Sequence, residues 1–419
     1  MILYILTMPF VSAFAYTDII SMPLVFSFIL LLIIGAFVLK EAKIPKGFLG
    51  FDILVIFMFF FVVMFSHIIN GWGNSKSFNH TAAYTGTIIL FYIVIKFTLF
   101  FLEEKTDTFK LIIKLITYTT TVSALYVNFE FILANFFDLN INDYIPRPRE
   151  EQMHYQPYVI ELFYRARGFA SESGIYTLML EMFAPLSVYF ISFSGYCKWP
   201  KIIKGFVFTI IIFSAFFAAS SATFIVVPIA ILISMLAYFK KVWVYFKNKQ
   251  IDFYLKLTGI LTLVVLIGNY FALYAKILLS LSEKMNSSSL DDRKERMDFF
   301  FEQFSKFDIN NKLIGAGPAG FDILGFDDSK SIISLYYSIT FELGFTGLVF
   351  IILLIFYFLF SILRFKTKFA FFLLVAFLSG AMHFYIINNY WVPWFWFIGV
   401  IAVYYRNFNH CIEQKLRQL

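Results

Sequence analysis

Charge and cysteine are what this sequence has little of. Only 15% of its 419 residues are Asp, Glu, Lys or Arg, against 60% hydrophobic residues. A chain so poor in charge cannot cover a water-facing surface, which excludes a soluble globular fold. Two cysteines, Cys197 and Cys411, each fall in a basic segment, so no disulfide framework is implied. Histidine is scarce as well, and no two of His67, His80, His154 and His383 share metal-ligand spacing. No metal and no other cofactor is expected. Internal repeats and low-complexity linkers are absent, which excludes a solenoid and leaves a single integral membrane domain, 1–419. The net charge of +7 would suggest nucleic acid in a soluble protein. In so apolar a chain its placement matters more than its sum, and no nucleic-acid partner is expected.

What is present is apolar length. Runs able to cross a hydrocarbon core of about 30 Å occur near 2–16, 21–39, 51–70, 83–102, 109–135, 173–195, 205–219, 222–239, 255–279, 335–362, 369–388 and 391–405. The stretch 205–239 divides at Ala219-Ser220-Ser221, which puts Lys204 and Lys240 on one side. The first run contains Ala13-Phe14-Ala15, similar to a signal-peptidase site, but no Lys or Arg precedes it; an uncleaved first span is expected. The segments joining alternate spans carry nineteen Lys and Arg against six Asp and Glu. By the positive-inside bias these segments and both termini are cytoplasmic. All six tryptophans, Trp72, Trp199, Trp243, Trp391, Trp394 and Trp396, fall at expected span ends, where indoles prefer to sit. The expected fold is thus an all-α polytopic membrane protein of about twelve transmembrane helices. Its two long connections, 136–172 and 280–334, emerge on the outer face and carry charge of both signs.

The first of these loops ends in Arg165-Ala166-Arg167-Gly168-Phe169-Ala170-Ser171-Glu172-Ser173-Gly174. Upstream, Pro146, Pro148 and Pro157 keep regular structure short. Ser171 or Ser173 is placed to cap the next helix, whose positive end and unpaired N–H groups would face whatever the arginines hold. That arrangement suits an anion, and phosphate above all. The plainer use of these charges is lipid-headgroup anchoring, with Glu172 complementing the helix N-terminus. A carboxylate fixed a few residues from two guanidiniums points instead to a task for each charge.

Arg165-x-x-Gly168-x-x-x-Glu172, at the outer start of a span, resembles the Arg-x-x-Gly-x-x-x-Glu-Pro signature of the Wzy-type O-antigen and capsule polymerases. These are bacterial inner-membrane glycosyltransferases that join lipid-linked oligosaccharide repeat units. Ser173-Gly174 stands where that family often has Pro followed by Asn or Ser. Ser220-Ser221-Ala222 resembles the Ser-Arg step between two short spans of related polymerases and ligases, without its Arg.

In the second loop, Ser289-Leu290-Asp291-Asp292 reads as a capping box. Met297, Phe300, Phe301 and Phe304 then recur at helical spacing, giving an apolar face suited to lie on the membrane surface. Arg293 and Arg296 share a flank of that helix, where Asp292, Glu295 and Asp298 are available to pair with them. Gly315-Ala316-Gly317-Pro318-Ala319-Gly320 formally matches a dinucleotide fingerprint, but no strand–helix pair frames it and Pro318 sits inside it; a tight turn back to the membrane is expected. This phrase, with Glu342-Leu343-Gly344-Phe345-Thr346-Gly347 after it, is similar to the Leu-Ile-Gly-x-Gly and Glu-Leu-Gly-x-x-Gly of the same family. Related ligases carry a His-Asn pair where this chain has Ser331-Ile332-Ile333-Ser334, which favours polymerase over ligase.

Lys96, Lys114, Glu130, Glu181, Lys276 and Glu342 fall within spans, where ionisable groups normally face a partner or a wet cavity. Glu130 and Lys276 lie in outer halves and are placed to line the same cavity as the loops; Glu181 is expected to pair with a buried Lys. The resemblance implies a GT-C-like architecture with short amphipathic helices in both outer loops. It also implies metal-independent transfer from an undecaprenyl-pyrophosphate-linked glycan on the periplasmic face. Arg165, Arg293 and the general base Glu172 are the implied catalytic groups. Arg167, Arg296, Ser171, Glu130 and Lys276 are the implied pyrophosphate and glycan ligands. Membrane lipid and a chain-length regulator in the same membrane are the implied partners. The rival is a transporter or lipid-linked oligosaccharide flippase. It predicts internal symmetry and Gly- or Pro-broken helices, neither of which is expected here.

Overall fold

The computed structural model describes residues 1–17, 20–41, 43–103, 107–147, 159–160, 163–238, 288–326 and 332–417. Their helices are α1 (Ile2–Thr7), α2 (Met22–Glu41), α3 (Phe51–Asn70), α4 (Ser75–Glu103, π-helical over Ile89–Ile93), α5 (Thr108–Phe136), α6 (Ser173–Ser192), α7 (Lys201–Ala218), α8 (Ser221–Ala237), α9 (Ser288–Ser305), α10 (Ile309–Ile314), α11 (Gly320–Ile323), α12 (Leu335–Leu363), α13 (Lys368–His383) and α14 (Pro393–Arg417). Two-residue strands β1 (Val159–Ile160) and β2 (Phe163–Tyr164) make an antiparallel hairpin. Among the described residues, α2, α3, α4, α6, α7 and α12 are long and apolar enough to cross a membrane, and α8 and α13 are shorter apolar helices. The chain is an all-α membrane protein. The expected span 255–279, with Lys276, lies outside the described residues.

The division of 205–239 is present: Ala219 adopts a left-handed conformation, φ 45°, between α7 and α8. The expected first span is not. α1 has six residues, about 9 Å of helix, far short of a bilayer core. Pro9, which cannot continue a helical ladder, follows it closely. The helix is instead packed inside the bundle. Tyr4 is buried against Phe91 and Phe397, Thr119 Oγ1 donates to the Ile5 carbonyl, and Trp394 Nε1 donates to that of Met8. Beyond it the chain runs irregularly to pair Ala13 N with Phe169 O and Phe14 N with Pro146 O.

Close helix approach follows small residues, as expected where lipid supplies no hydrophobic drive between helices. Gly380 of α13 lies directly against Met182 of α6, so that a methyl group there would collide with the thioether. α5 is more polar than its neighbours. Thr117, Thr120 and Thr121 bond back to carbonyls four residues earlier, which satisfies buried hydroxyls without partners from outside. Lys96, with its ammonium 2.6 Å from Asp52 Oδ2 and Tyr92 donating to the same oxygen, ties α3 to α4. Pairing of this kind is what a charge inside a membrane requires.

One end of the bundle collects the α3, α5, α7 and α13 C-termini and the α6, α8, α12 and α14 N-termini, and the hairpin and α9–α11 pack there. At this loop end α12 is broken, contrary to the expectation of unbroken helices. Gly344 has φ 67° and ψ −171°, a conformation open in practice to glycine alone. The turn Gly315–Gly320 lies across the break: Ala316 N donates to Phe341 O at 2.8 Å and Gly317 N to Glu342 O at 3.0 Å. A side chain on Gly344 would overlap the Leu313 carbonyl, and one on Gly315 would overlap Glu342 backbone. The two glycine phrases read from the sequence are halves of one contact. Ser66 Oγ completes it by donating to Ile314 O and Glu342 O.

Candidate functional site

The first loop is assembled on Glu130 of α5. This carboxylate is 0% exposed and accepts from Arg167 N (3.1 Å), Gly168 N (2.8 Å) and Asn142 Nδ2 (2.6 Å). Two successive N–H groups aimed at one anion form a backbone nest. Gly168, at φ 64°, is required to turn them inward, since a Cβ there would also lie 2.9 Å from Val127 Cγ2. Arg147, 3% exposed, closes the knot by donating through Nη2 to Asn142 Oδ1 and Gly168 O, each at 2.7 Å. Asn135 fixes the hairpin by accepting from Tyr164 N and donating to Tyr164 O. Burial pushes the Tyr164 hydroxyl above its ordinary range, so it stays protonated and donates to Asn140 Oδ1. Glu130, expected as a substrate ligand, accepts here from two backbone N–H groups and the Asn142 amide, and so holds the loop.

The arginines that follow take different paths. Arg167 is 7% exposed, and its Nη1 donates to Ser171 O at 3.1 Å. Arg165 reaches the α7–α8 turn: its Nε donates to Ala218 O at 3.2 Å and its Nη2 to the Ser173 hydroxyl. Neither expected serine caps α6. Glu172 occupies the cap position, exposed and extended, without a side-chain cap bond. Ser173 is the first helical residue and is held by Arg165, while half-buried Ser171 offers its carbonyl to Arg167.

In the second loop one side of α9 packs on protein through Phe300, while Phe301 of the same expected apolar face is 52% exposed. Phe300, 3% exposed, stacks on Tyr337 of α12 at 4.7 Å and joins Phe321 and Phe341 in a small separate core. The aromatic surface of the broken half of α12 and of α11 offers burial that a membrane face cannot better. The capping-box side chains Ser289–Asp292 lie outside the described residues. Arg293 and Arg296 border a cavity of about 360 Å³ with Lys294, Ser221, Tyr337 and Tyr385. Among the described residues its wall includes three cations, Arg293, Lys294 and Arg296. Ser221 and Ala222 on the facing side begin α8, directly after the turn that holds Arg165. The α7–α8 turn thus accepts Arg165 at Ala218 O, and the start of α8 shares the cavity wall with Arg293 and Arg296. Glu172, Ser171, Arg167 and Glu130 do not line the cavity.

Some groups went unread in the sequence. Tyr337 and Tyr385, their hydroxyls 2.9 Å apart, belong to the cavity; Tyr337 is hidden within an apolar span. Glu181 pairs with His383 Nδ1 at 2.8 Å and accepts from Thr223 Oγ1 at 2.6 Å, not with a lysine as expected. These partners come from α13 and α8, at separations no local pattern carries. Glu342 lies 3.5 Å from His80 Nδ1. Among the described residues no three His, Cys, Asp or Glu gather as a metal site. No protein-family model, curated protein or solved structure matches the chain.

Proposed function

We propose that the protein is a polysaccharide polymerase of the bacterial inner membrane, joining undecaprenyl-pyrophosphate-linked repeat units on the periplasmic face. The observation that carries this reading is the cavity walled by Arg293, Lys294 and Arg296 at the loop end of an apolar bundle. Such a place suits an anionic head group whose hydrocarbon stays in the bilayer. In the proposed reaction a hydroxyl of one lipid-linked glycan attacks the anomeric carbon of another. The new C–O bond forms as the bond from that carbon to phosphate breaks, and the electron pair leaves with the lipid diphosphate. Guanidiniums in a low-dielectric cleft stabilise the developing charge, and bidentate contacts fix its position. Glu172, exposed at the start of α6, takes the hydroxyl proton as general base. Arg165, held against the α7–α8 turn, places this carboxylate and the second-loop arginines around one element.

The break in α12 favours a second reading, a lipid-linked oligosaccharide flippase, since discontinuous helices are a transporter feature. Against it, the carbonyls freed at Phe341 and Glu342 are taken by the glycine turn, which closes the break rather than opening it to a solute. The two readings part in a deletion strain. A polymerase leaves single repeat units exposed on the outer face, and a flippase leaves none. Full-length polymer in the deletion strain would exclude the polymerase. A ligase of similar fold predicts, instead, free polymer that is not attached to its acceptor.

A further inference from the structure

The arginine cavity has a second wall of different chemistry. Tyr337 and Tyr385 face it together, their rings edge to face at 5.7 Å and their hydroxyls 2.9 Å apart. Tyr337 is fixed from behind by the stack on buried Phe300. Tyr385 is fixed by its backbone: its N–H bonds Met382 O, and the neighbouring Phe384 carbonyl accepts from Leu335 N, the residue that opens α12. Packing alone accounts for Tyr337 but not for Tyr385, which is 53% exposed at a loop end where a ring gains little by facing water.

A phosphate needs only the cations. Paired phenols add an apolar face for the C–H groups of a pyranose. One hydroxyl is spent on the other, and the Tyr385 O–H has, among the described residues, only the weak acceptor Met297 Sδ at 3.9 Å, which a sugar oxygen would displace, beside oxygen lone pairs that accept. The volume, about 360 Å³, is within the range of small-ligand clefts and larger than a lone phosphate requires. Resting on the reading of this cavity as a lipid-diphosphate site, we propose that Tyr337 and Tyr385 form its sugar subsite. The ligand is then a glycosyl diphosphate, held by charge at Arg293 and Arg296 and by ring packing and phenolic hydrogen bonds at the tyrosines.

The test uses the full chain in lipid nanodiscs and two probes, a polyprenyl diphosphate without sugar and the same lipid diphosphate bearing one hexose. Tyr385→Ala should weaken the glycosylated probe roughly tenfold, the worth of one aromatic packing contact, and leave the sugar-free probe unchanged. Tyr385→Phe, which keeps the ring and the fold, should show a smaller loss confined to the same probe. Arg293→Ala should weaken both probes. Equal effects of Tyr385→Ala on the two probes, with the arginine dependence intact, overturn the sugar subsite alone. Binding of both probes that is indifferent to Arg293→Ala removes the lipid-diphosphate reading itself.

Discussion

Between Asn135 and Glu172 the arginines Arg147 and Arg167 turn inward, 3% and 7% exposed, into a knot built on Glu130. In α9, half-buried Arg293 and Arg296 line a cavity with Lys294, Tyr337 and Tyr385. The two loops look alike as sequence, each carrying arginines, acids and glycine before a span. What separates them is the neighbouring helix. α5 supplies a buried carboxylate that draws the first loop's N–H groups onto itself. α12 supplies aromatic rings, which hold α9 by its phenylalanines, and the arginines of α9 line the cavity beside them. A loop's arginines are therefore drawn into a folding knot or set along a cavity according to what the adjacent span presents to them.

This contrast is open to attack from both sides. The largest effect is expected for Glu130→Ala, which strips the acceptor from two backbone N–H groups and Asn142. A loss of about 3–5 kcal/mol should appear as little folded protein by fluorescence-detected size exclusion. A well-folded, inactive variant would instead make Glu130 a substrate group. Gly344→Ala should cost about 3 kcal/mol or more, the left-handed penalty plus overlap with Leu313, and lower the melting temperature in detergent. The paired change Arg293→Ala with Arg296→Ala should leave melting unchanged while polymer formation falls roughly 100-fold or more; lost folding would place these arginines with those of the first loop. Glu172→Gln should reduce turnover by about 100-fold if it is the base, with stability unchanged within about 0.5 kcal/mol. The smallest effect belongs to Lys76→Ala. Its pair with Asp322, 3.4 Å long and largely exposed, is worth at most about 0.5 kcal/mol.

The membrane-spanning helices were legible because apolar length is a local property. α12 was expected at 335–362 and runs Leu335–Leu363, and the α7–α8 division falls at the expected serines. Of the twelve expected spans, α2, α3, α4, α6, α7 and α12 are long and apolar enough to cross a membrane; α8 and α13 are shorter, and at α1 composition suggested a span but Pro9 and internal packing left one and a half turns. The arginine motif was legible as a place, not as a set of roles. Ser173 looked like a cap, yet its hydroxyl is held by Arg165. Glu181 looked like a partner for lysine and met His383, 202 residues away in the chain. Glycine spacing flagged both Gly315 and Gly344, but that they touch is tertiary information. The partner of each is a backbone carbonyl or amide, which leaves no trace in residue type.

The crossing of the glycine turn over α12 bears on the order of assembly. Residues 335–363 form one hydrophobic stretch, and insertion machinery that senses hydrophobicity will place them in the bilayer as a unit. The carbonyls of Phe341 and Glu342 then wait for Ala316 and Gly317, residues synthesised earlier in a less apolar segment. If residues 335–363 insert as a unit, maturation of this end finishes in a docking event, with a loop made first seated last.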